Sequence, residues 1–541
     1  VSVEGAGPKA VIIGMPGSGK TQVGRLAATI TDLPFKDSDH EVERRAGRSI
    51  ANIIEQDGEP RFRRVERQVV CRLLKSFDGG LLALSGGSPM TTDIYEELMD
   101  YRGRGGCIIY LDADPQEASA RVARNSRRSL LARDPHERWK QLHHERAPIY
   151  ESLATTTLPS HGSTPEAMAQ SLAEALYERV VHISGAHPYD VRIGPGVSSR
   201  LRFLLGSQAV RVALIHTRSV QRHADHARAL LRQAGYRVSE ITIPDAEAGK
   251  TLQVADKTWD RLAQDGFTRS DAVVGVGGGA VADLAGFVAA SWMQGIAYVN
   301  CPTSLLAMVD ASAGGKSAIN TAHGKNLIGA FRAPEGVLAD LKTLKTLPRE
   351  AFVEGLGETA KCGFIMDRSI LSLLDDHADQ LRAFTGEEPA SWIEAVPAEL
   401  IERSATVKAR YVSVDMDETG PREFLSYGHT LGHAIEQVEH YTWRHGQAVA
   451  VGMVFAAELS RILGRCDQEL VDLHRELLGR LGLKTAWSGG PWEKVLDAMR
   501  RDKKARGDRL RFVILEGVGR PVHLDDPPEQ ALREAFERIQ E

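Results

Sequence analysis

A chain of 541 residues is too long for one ordinary domain and accommodates two to four cores at about 100–200 residues each. Hydrophobic residues at 42% and charged residues at 26% match ordinary globular proteins and exclude disordered or fibrous classes. The net charge of -5 leaves no basic excess for nucleic acid or an anionic membrane surface.

In chain order, AVII (10–13) reads as a β-branched strand, followed by a glycine turn and an amphipathic helix. LLAL (81–84) and CIIYLDA (107–113) read as buried parallel strands between Arg- and Glu-rich helical segments. TTTLPSHGSTPEAM (155–168) is rich in turn residues and leads into a final helix, PEAMAQSLAEALYERV. VVHISGAHPYDVRIGPG reads as two short strands that open a second series: VALIHT, a helix to Gly235, YRVSEITI, a helix around 256–265, and DAVVGV. Beyond Pro348 the pattern is mostly helical. No apolar stretch reaches the roughly 18 residues of a membrane span, and VSVEGAGPKAVIIG does not read as a signal peptide. Cys71, Cys107, Cys301, Cys362 and Cys466 form no C-x-x-C pair, so a reduced, cytoplasmic protein is expected.

The first motif is Gly14-Met-Pro-Gly-Ser-Gly-Lys20-Thr21, a complete G-x-x-x-x-G-K-[ST] loop between strand and helix. Gly14, Gly17 and Gly19 let backbone N–H groups, with that of Ser18, turn toward phosphate oxygens at a helix N-terminus. Lys20 would reach the β/γ-phosphates of a nucleoside triphosphate and the Thr21 hydroxyl would bind Mg²⁺. The loop alone does not choose between kinase, ATPase and switch GTPase.

After it come PFKDSDHEVERRAGRSIANIIEQDGEPRFRRVE, LALSGGSP, RNSRRSLL and ERAPIYE. This succession resembles shikimate kinase across nearly the whole first third of the chain. The resemblance implies that Asp37 supports Mg²⁺ through water, and that Asp39 holds shikimate hydroxyls and is the general base. It implies that Arg63 and Arg146 clamp the shikimate carboxylate, a task suited to bidentate guanidinium groups. Arg128 matches the lid arginine over the phosphates. Gly86 and Gly87 would permit close backbone approach to substrate. Two positions depart from the family pattern: Ser85 stands for a glycine, and Ser129 for the proline after the lid arginine.

The second two thirds begin with a glycine-rich turn, DAVVGVGGGAVADLAGFVAA, of dinucleotide-binding type without a full G-x-G-x-x-G. His429 and His433 lie at i,i+4 on one helical face; read cold, H-x-x-x-H suggests that both bind zinc. With CPTSLLAMVDASAGGKSAINTAHGKNLIGAF, TLPREAFVEGLGETAKCGFI, VKARYVSVDMDETGPREFLSYGHTLGHAIE and WRHGQAVAVGM, the chain from about 182 to its end resembles 3-dehydroquinate synthase. The resemblance assigns Glu358, His429 and His445 as ligands of Zn²⁺ or another divalent metal such as Co²⁺, with His433 on the substrate side. Three protein ligands suit a catalytic zinc, which keeps an open position.

The same resemblance places Asp310, Lys316, Asn326, Lys361, Lys408 and Arg422 around the substrate, with Lys503 or Lys504 adding a contact. Lys316, Lys361, Arg422 and His433 are expected to be catalytic there, as Asp39, Lys20 and Arg128 are in the kinase part. For NAD it implies Gly277, Gly278, Gly279, Asp283, Glu247, Lys250, Thr303, Ser304 and Lys325. The family's acidic ribose-binding residue after the first strand is not evident in ALIHTRSV. Gln294 and Ser426 replace a family arginine, which reaches the phosphate from a partner subunit, and a substrate-contacting asparagine.

The fold expected is α/β: a P-loop kinase domain with a parallel sheet at 1–172, a linker at 173–181, an NAD-binding α/β domain at 182–345, and a helical metal- and substrate-binding domain at 346–541. The implied activities are ATP-dependent phosphorylation of shikimate at its 3-hydroxyl, and conversion of 3-deoxy-D-arabino-heptulosonate 7-phosphate to 3-dehydroquinate. The latter proceeds by transient oxidation of a ring hydroxyl by NAD⁺, loss of phosphate, reduction by the NADH formed, ring opening and an intramolecular aldol closure. A homodimer through the synthase part is a further implication. The alternatives are a related cyclase acting on another sugar phosphate, a non-catalytic regulatory module in one half, or a switch NTPase at the front.

Overall fold

A computed structural model of the protein describes residues 7–123, 135–160, 163–206, 208–322, 324–415, 420–501 and 510–540. It divides into two compact units, Val1–Tyr177 and Glu178–Glu541.

The first unit is built on five parallel strands: β1 (Ala10–Ile13), β2 (Phe35–Asp37), β3 (Leu81–Ala83), β4 (Cys107–Asp112) and β5 (Thr156–Pro159). Their order is β2-β3-β1-β4-β5. The AVII run of β1 is buried at every residue, as a central strand covered on both faces requires. Helices α1 (Lys20–Thr31), α2 (Ser38–Ala46), α3 (Glu59–Ser76), α4 (Pro135–Leu153) and α5 (Pro165–Ala175) accompany the sheet. Two apolar cores form, one joining Val11 and Ile13 to Phe62, Trp139 and Tyr150, the other joining Ala10 and Ile12 to Val23, Met168 and Leu172. The loop from β1 into α1 ends at Gly19, which caps the helix in a left-handed conformation with no side-chain hydrogen bond. The first N–H groups of α1 are thus left for a ligand.

The second unit holds a seven-stranded sheet, β6-β7-β14-β11-β10-β8-β9. Its strands are β6 (Arg179–Ile183), β7 (Tyr189–Gly194), β8 (Arg211–Thr217), β9 (Arg237–Ile243), β10 (Ala272–Gly277), β11 (Ala297–Pro302) and β14 (Gly336–Asp340). All pairs are parallel except β6 with β7. A hairpin of β12 (Lys316–Thr321) and β13 (Gly324–Phe331) projects between β11 and β14 in sequence. The segment 173–181 is occupied by the end of α5 and the start of β6, and Glu178 between them pairs with Arg192 at 2.6 Å and Arg200 at 2.9 Å.

Helices dominate after residue 348: α6 (Gly279–Ser291) still belongs to the sheet, then α7 (Arg349–Ile365), α8 (Ala390–Val414), α9 (His429–Val438), α10 (His445–Ile462) and α11 (Gln468–Arg480) follow, with a small hairpin of β15 (Arg511–Leu515) and β16 (Pro521–Asp525). The helices α7 and α10 touch at Gly446, where any Cβ would lie 1.9 Å from the Glu354 carbonyl oxygen. Glycine there lets α7, which carries Glu358, close on the start of α10, which carries His445. Among the described residues, no helix is long and apolar enough to cross a membrane.

Candidate active sites

In the first unit, Lys20 is buried at the foot of α1 and donates to the Gly14 and Met15 carbonyls, both at 2.9 Å. Thr21 Oγ1 donates to Asp37 Oδ2 at 2.6 Å, so the two groups expected around Mg²⁺ meet. The other Asp37 oxygen accepts from the Asp39 backbone N–H at 2.9 Å and caps α2, which fixes Asp39 beside it. Burial, with Asp37 and Glu66 close by, pushes the Asp39 pKa up to about 6, against the pull of Lys20 and a hydrogen bond from Ser85. The serine that departs from the family glycine is therefore in contact with the carboxylate expected to act as base.

Arg63 donates to Glu66 Oε2 at 2.8 Å and to Glu59 Oε1 at 3.1 Å. A Cβ at Gly87 would stand 2.8 Å from Arg63 Nη1, so only glycine leaves this guanidinium its place. Arg146 Nη1 donates to the Gly86 carbonyl at 3.3 Å, and Tyr150 donates to the same oxygen at 2.5 Å. Gly86 in turn lies against Pro16 of the P-loop. Arg128 and Ser129 fall outside the described residues.

In the second unit, Gly277, Gly278 and Gly279 form the passage from β10 into α6, with the Gly277 carbonyl accepting from Thr303 N–H at 2.9 Å and Ser304 beside Gly278. Lys250, almost wholly buried, donates to Asp283 at 2.5 Å and to Asn326 Oδ1 at 2.6 Å. Glu247 accepts from Asn320 at 2.6 Å and pairs with Lys325 at 3.3 Å. These residues therefore form one cluster beside the glycine turn. An acidic group does stand near the end of β8: Thr217 bonds Ser219 at 2.8 Å, and Ser219 donates to Asp245 at 2.5 Å. It comes from the end of β9, the neighbouring strand.

The candidate metal centre draws on three helices. Glu358 Oε1, buried without a hydrogen bond of its own, has Nε2 of His429 at 3.4 Å and Nε2 of His445 at 3.5 Å. Three lone-pair atoms converging on one point fit a divalent cation. The Nδ1 of His429 donates to the Tyr427 carbonyl at 3.2 Å, which turns its Nε2 inward. His433 does not face Glu358 with its i,i+4 neighbour; it joins Glu436 and His445 in a second group of ligand-type atoms within 4.8 Å of one another.

Around this centre Lys361 bonds the other Glu358 oxygen, and Lys408 bonds the Asp310 side chain and, at 2.7 Å, its carbonyl. Burial opposes charge on Lys361, but Glu358 and Asp310 outweigh it and raise its pKa. Burial likewise opposes the Asp310 carboxylate, and Lys408 with Lys361 more than compensates, lowering its pKa. Asp310 lies on a single π-helical turn, Ala307–Ala311, a local irregularity that recurs at functional sites. Arg422 is buried and donates to the Gly314 carbonyl at 2.9 Å, two residues before Lys316, which starts β12 on the surface. Gln294 accepts from Arg269 at 2.7 Å in a loop where Met293 and Gln294 both have positive φ. Lys503 and Lys504 lie outside the described residues.

Four residues at these sites have no role assigned from the motifs. Glu436 and Glu66 could have been found by helical spacing, Glu436 three residues beyond His433 and Glu66 three beyond Arg63. Asp245 and Trp139, whose Nε1 donates to the Pro16 carbonyl at 2.9 Å, arise from tertiary pairing alone.

Comparison with known proteins gives two signatures. The family described as shikimate kinase matches residues 16–177, and the N- and C-terminal families of 3-dehydroquinate synthase match 240–354 and 355–505. The 3-dehydroquinate synthase of Arthrobacter sp. (strain FB24) is 52% identical over 367 residues, covering 68% of this chain and 99% of that protein. That of Thermobifida fusca is 49% identical over 352 residues, covering 65% and 94%. Among solved structures, 2-deoxy-scyllo-inosose synthase with carbaglucose-6-phosphate, NAD⁺ and Co²⁺ superposes with a TM-score of 0.61 at 24% identity, over 67% of this chain and all of that one. The 2-epi-5-epi-valiolone synthase of Streptomyces hygroscopicus, with NAD⁺ and Zn²⁺, gives 0.60 at 21% identity, over 67% and 99%. At those identities the two structures establish the fold.

Proposed function

The chain belongs to the 3-dehydroquinate synthase family and carries a shikimate kinase domain ahead of that part, and on this premise we propose one polypeptide with two activities of the shikimate pathway. The first unit phosphorylates shikimate from ATP with Mg²⁺. The second converts 3-deoxy-D-arabino-heptulosonate 7-phosphate to 3-dehydroquinate and phosphate.

The observation that carries the second assignment is the convergence of Glu358, His429 and His445 beside the Lys361–Glu358 and Lys408–Asp310 pairs. A divalent metal held there would polarise the substrate alcohol, and NAD on the glycine turn would exchange hydride with that carbon. Lys316, Lys361, Lys408 and Arg422 offer positive charge for a carboxylate and a phosphate in one pocket. Asp310 anchors Lys408, while Lys250 and Asp283 hold the glycine turn and Asn326 in register. His433 faces the substrate side, next to both ligating histidines.

In the kinase unit, Lys20 and the loop N–H groups hold the phosphates, and Thr21 with Asp37 holds Mg²⁺. Asp39 orients the attacking hydroxyl and accepts its proton, while Arg63 and Arg146 grip the carboxylate. The kinase function lies within 1–172 and the synthase functions within 182–345 and 346–541, inside structural units whose boundary in the chain is Tyr177/Glu178. The synthase part forms a homodimer, a reading supported by Leu327, Ile328 and Phe331 exposed on β13 and Met293 exposed in the strained loop. A cytoplasmic location is supported by all five cysteines being free.

The deciding experiment incubates the purified chain with heptulosonate 7-phosphate, NAD and Zn²⁺, and separately with shikimate and MgATP. Formation of 3-dehydroquinate with phosphate, and of shikimate 3-phosphate, is expected. Failure of either reaction removes that half of the proposal. Phosphate release only from sugar phosphates that lack a carboxylate would reassign the second unit to another cyclase.

A further inference from the structure

Glu436 is a buried carboxylate on α9, on the same helical face as His429 and His433. Its Oε2 lies 3.2 Å from Nδ1 of His445, and its Oε1 lies 3.1 Å from Nζ of Lys325. Both carboxylate oxygens are thus engaged by nitrogen donors. A carboxylate only accepts, so Nδ1 of His445 must carry the proton and donate to it. In a neutral imidazole this leaves the Nε2 lone pair turned toward Glu358, as a metal ligand requires.

The second oxygen of Glu436 leads elsewhere. Lys325 comes from the β12–β13 hairpin, and its ammonium also meets Glu247 at 3.3 Å and the Tyr441 ring at 4.4 Å. Glu247 accepts from Asn320, whose own carbonyl oxygen accepts from the Asn326 backbone N–H at 3.0 Å. Asn326 accepts from Lys250, which is paired with Asp283 on α6. A single file of polar contacts thus runs from a ligand-type histidine to the helix that opens at the glycine turn.

His433, Glu436 and His445 could instead be taken for a second metal triad. The ammonium of Lys325 already on Glu436, and the donating Nδ1 of His445, oppose a second cation at that point.

We propose that Glu436 is a positioning residue that fixes His445 for the metal through one oxygen and holds Lys325 at the dinucleotide side through the other, so that metal and NAD bind with mutual reinforcement. This rests on the metal-centre reading of Glu358, His429 and His445 given above. Coupling of this kind is reciprocal: if metal tightens NAD, NAD tightens metal by the same factor.

The test measures Zn²⁺ affinity by chelator competition and NAD⁺ affinity by titration calorimetry, without turnover, on the full chain and on Glu436→Gln, Glu436→Ala and Lys325→Met. The unaltered chain is expected to bind one Zn²⁺ in the centre and to bind NAD⁺ at least about fivefold tighter with it. Both Glu436 variants should bind Zn²⁺ about 10–100-fold more weakly and lose the NAD⁺ enhancement. Lys325→Met should keep Zn²⁺ affinity within about threefold while losing the enhancement. Thermal unfolding and circular dichroism of the same preparations report that each variant is folded. Unchanged Zn²⁺ affinity in both Glu436 variants overturns the proposal. So does a second Zn²⁺ that disappears with Glu436→Gln, since that would make Glu436 a ligand. If the unaltered chain binds no Zn²⁺, the metal-centre reading itself fails, and this proposal with it.

Discussion

Lys361 and Glu358 stand three residues apart on α7 and form an ion pair in which each side chain is only 1% exposed. Taking both charges out of water is costly, and the pair is tolerable because each answers the other and Asp310 adds a second counter-charge to Lys361. Removing one partner strands the other. Lys361→Met should therefore destabilise the second unit by about 3–5 kcal/mol in metal-free protein. Added Zn²⁺ should restore part of that loss, because it supplies charge at the same carboxylate. Thermal unfolding with and without Zn²⁺ measures both effects, and a variant as stable as the original chain would show that the pair carries no such burden.

In the kinase unit, Lys20→Ala removes the side chain that donates to the Gly14 and Met15 carbonyls of the P-loop. Its shikimate phosphorylation should fall by at least about a hundredfold, within the range seen when a preorganised charge is removed. Its 3-dehydroquinate formation should stay within about twofold of the original, because that reaction uses residues of the second unit alone. A matched fall in both activities would mean that the substitution damages folding rather than phosphate binding.

Trp139 reaches the P-loop from α4, the helix that also carries Arg146. Trp139→Phe keeps the aromatic packing but takes its donor from the part-buried Pro16 carbonyl, at a cost of about 1 kcal/mol. If that oxygen needs its bond to hold the loop, KM for ATP should rise by about fivefold or more while synthase kinetics stay unchanged. An unaltered KM for ATP would reduce Trp139 to a packing role.

His474 is fully buried, stacked on Phe364 at 3.7 Å, donating through Nδ1 to Leu470 and accepting at Nε2 from the Tyr427 hydroxyl at 2.9 Å. Burial lowers its pKa to about 4, from 6.5 in the unfolded chain. Between those values the unfolded state binds more protons, so stability falls as pH falls. The contribution is complete above about pH 6.5 and is lost on approach to pH 4, about 3 kcal/mol in all. Urea unfolding followed by tryptophan emission suits this test, since six of the seven tryptophans lie beyond residue 178. His474→Gln should flatten the pH dependence over that window, and an unchanged slope would rule the histidine out as its source.

What could be read in the sequence was whatever a single element determines. The P-loop is one turn of backbone, and the i,i+4 relation of His429 and His433 is a property of one helix. Their partners are another matter. His445 arrives on α10 and takes the position opposite Glu358 that spacing alone would give to His433. ALIHTRSV holds no acidic residue, but β8 and β9 end together, Thr217 beside Ile243, and Asp245 just after β9 accepts from Ser219 there. Helical periodicity thus located the residues of each helix face, while the choice among them was made by packing between helices and strands.

Between the last helix of the first unit and the first strand of the second there is almost no spare chain. Leu176 is packed into the first core, and Glu178 is held by two arginines of the second unit. For anyone dividing the polypeptide to study its halves, the cut therefore has one place, beside the half-exposed Tyr177. Constructions that begin the synthase half a few residues later would forfeit β6 and leave β7 as a raw edge of the sheet. The gene offers an experimenter a hyphen one residue wide.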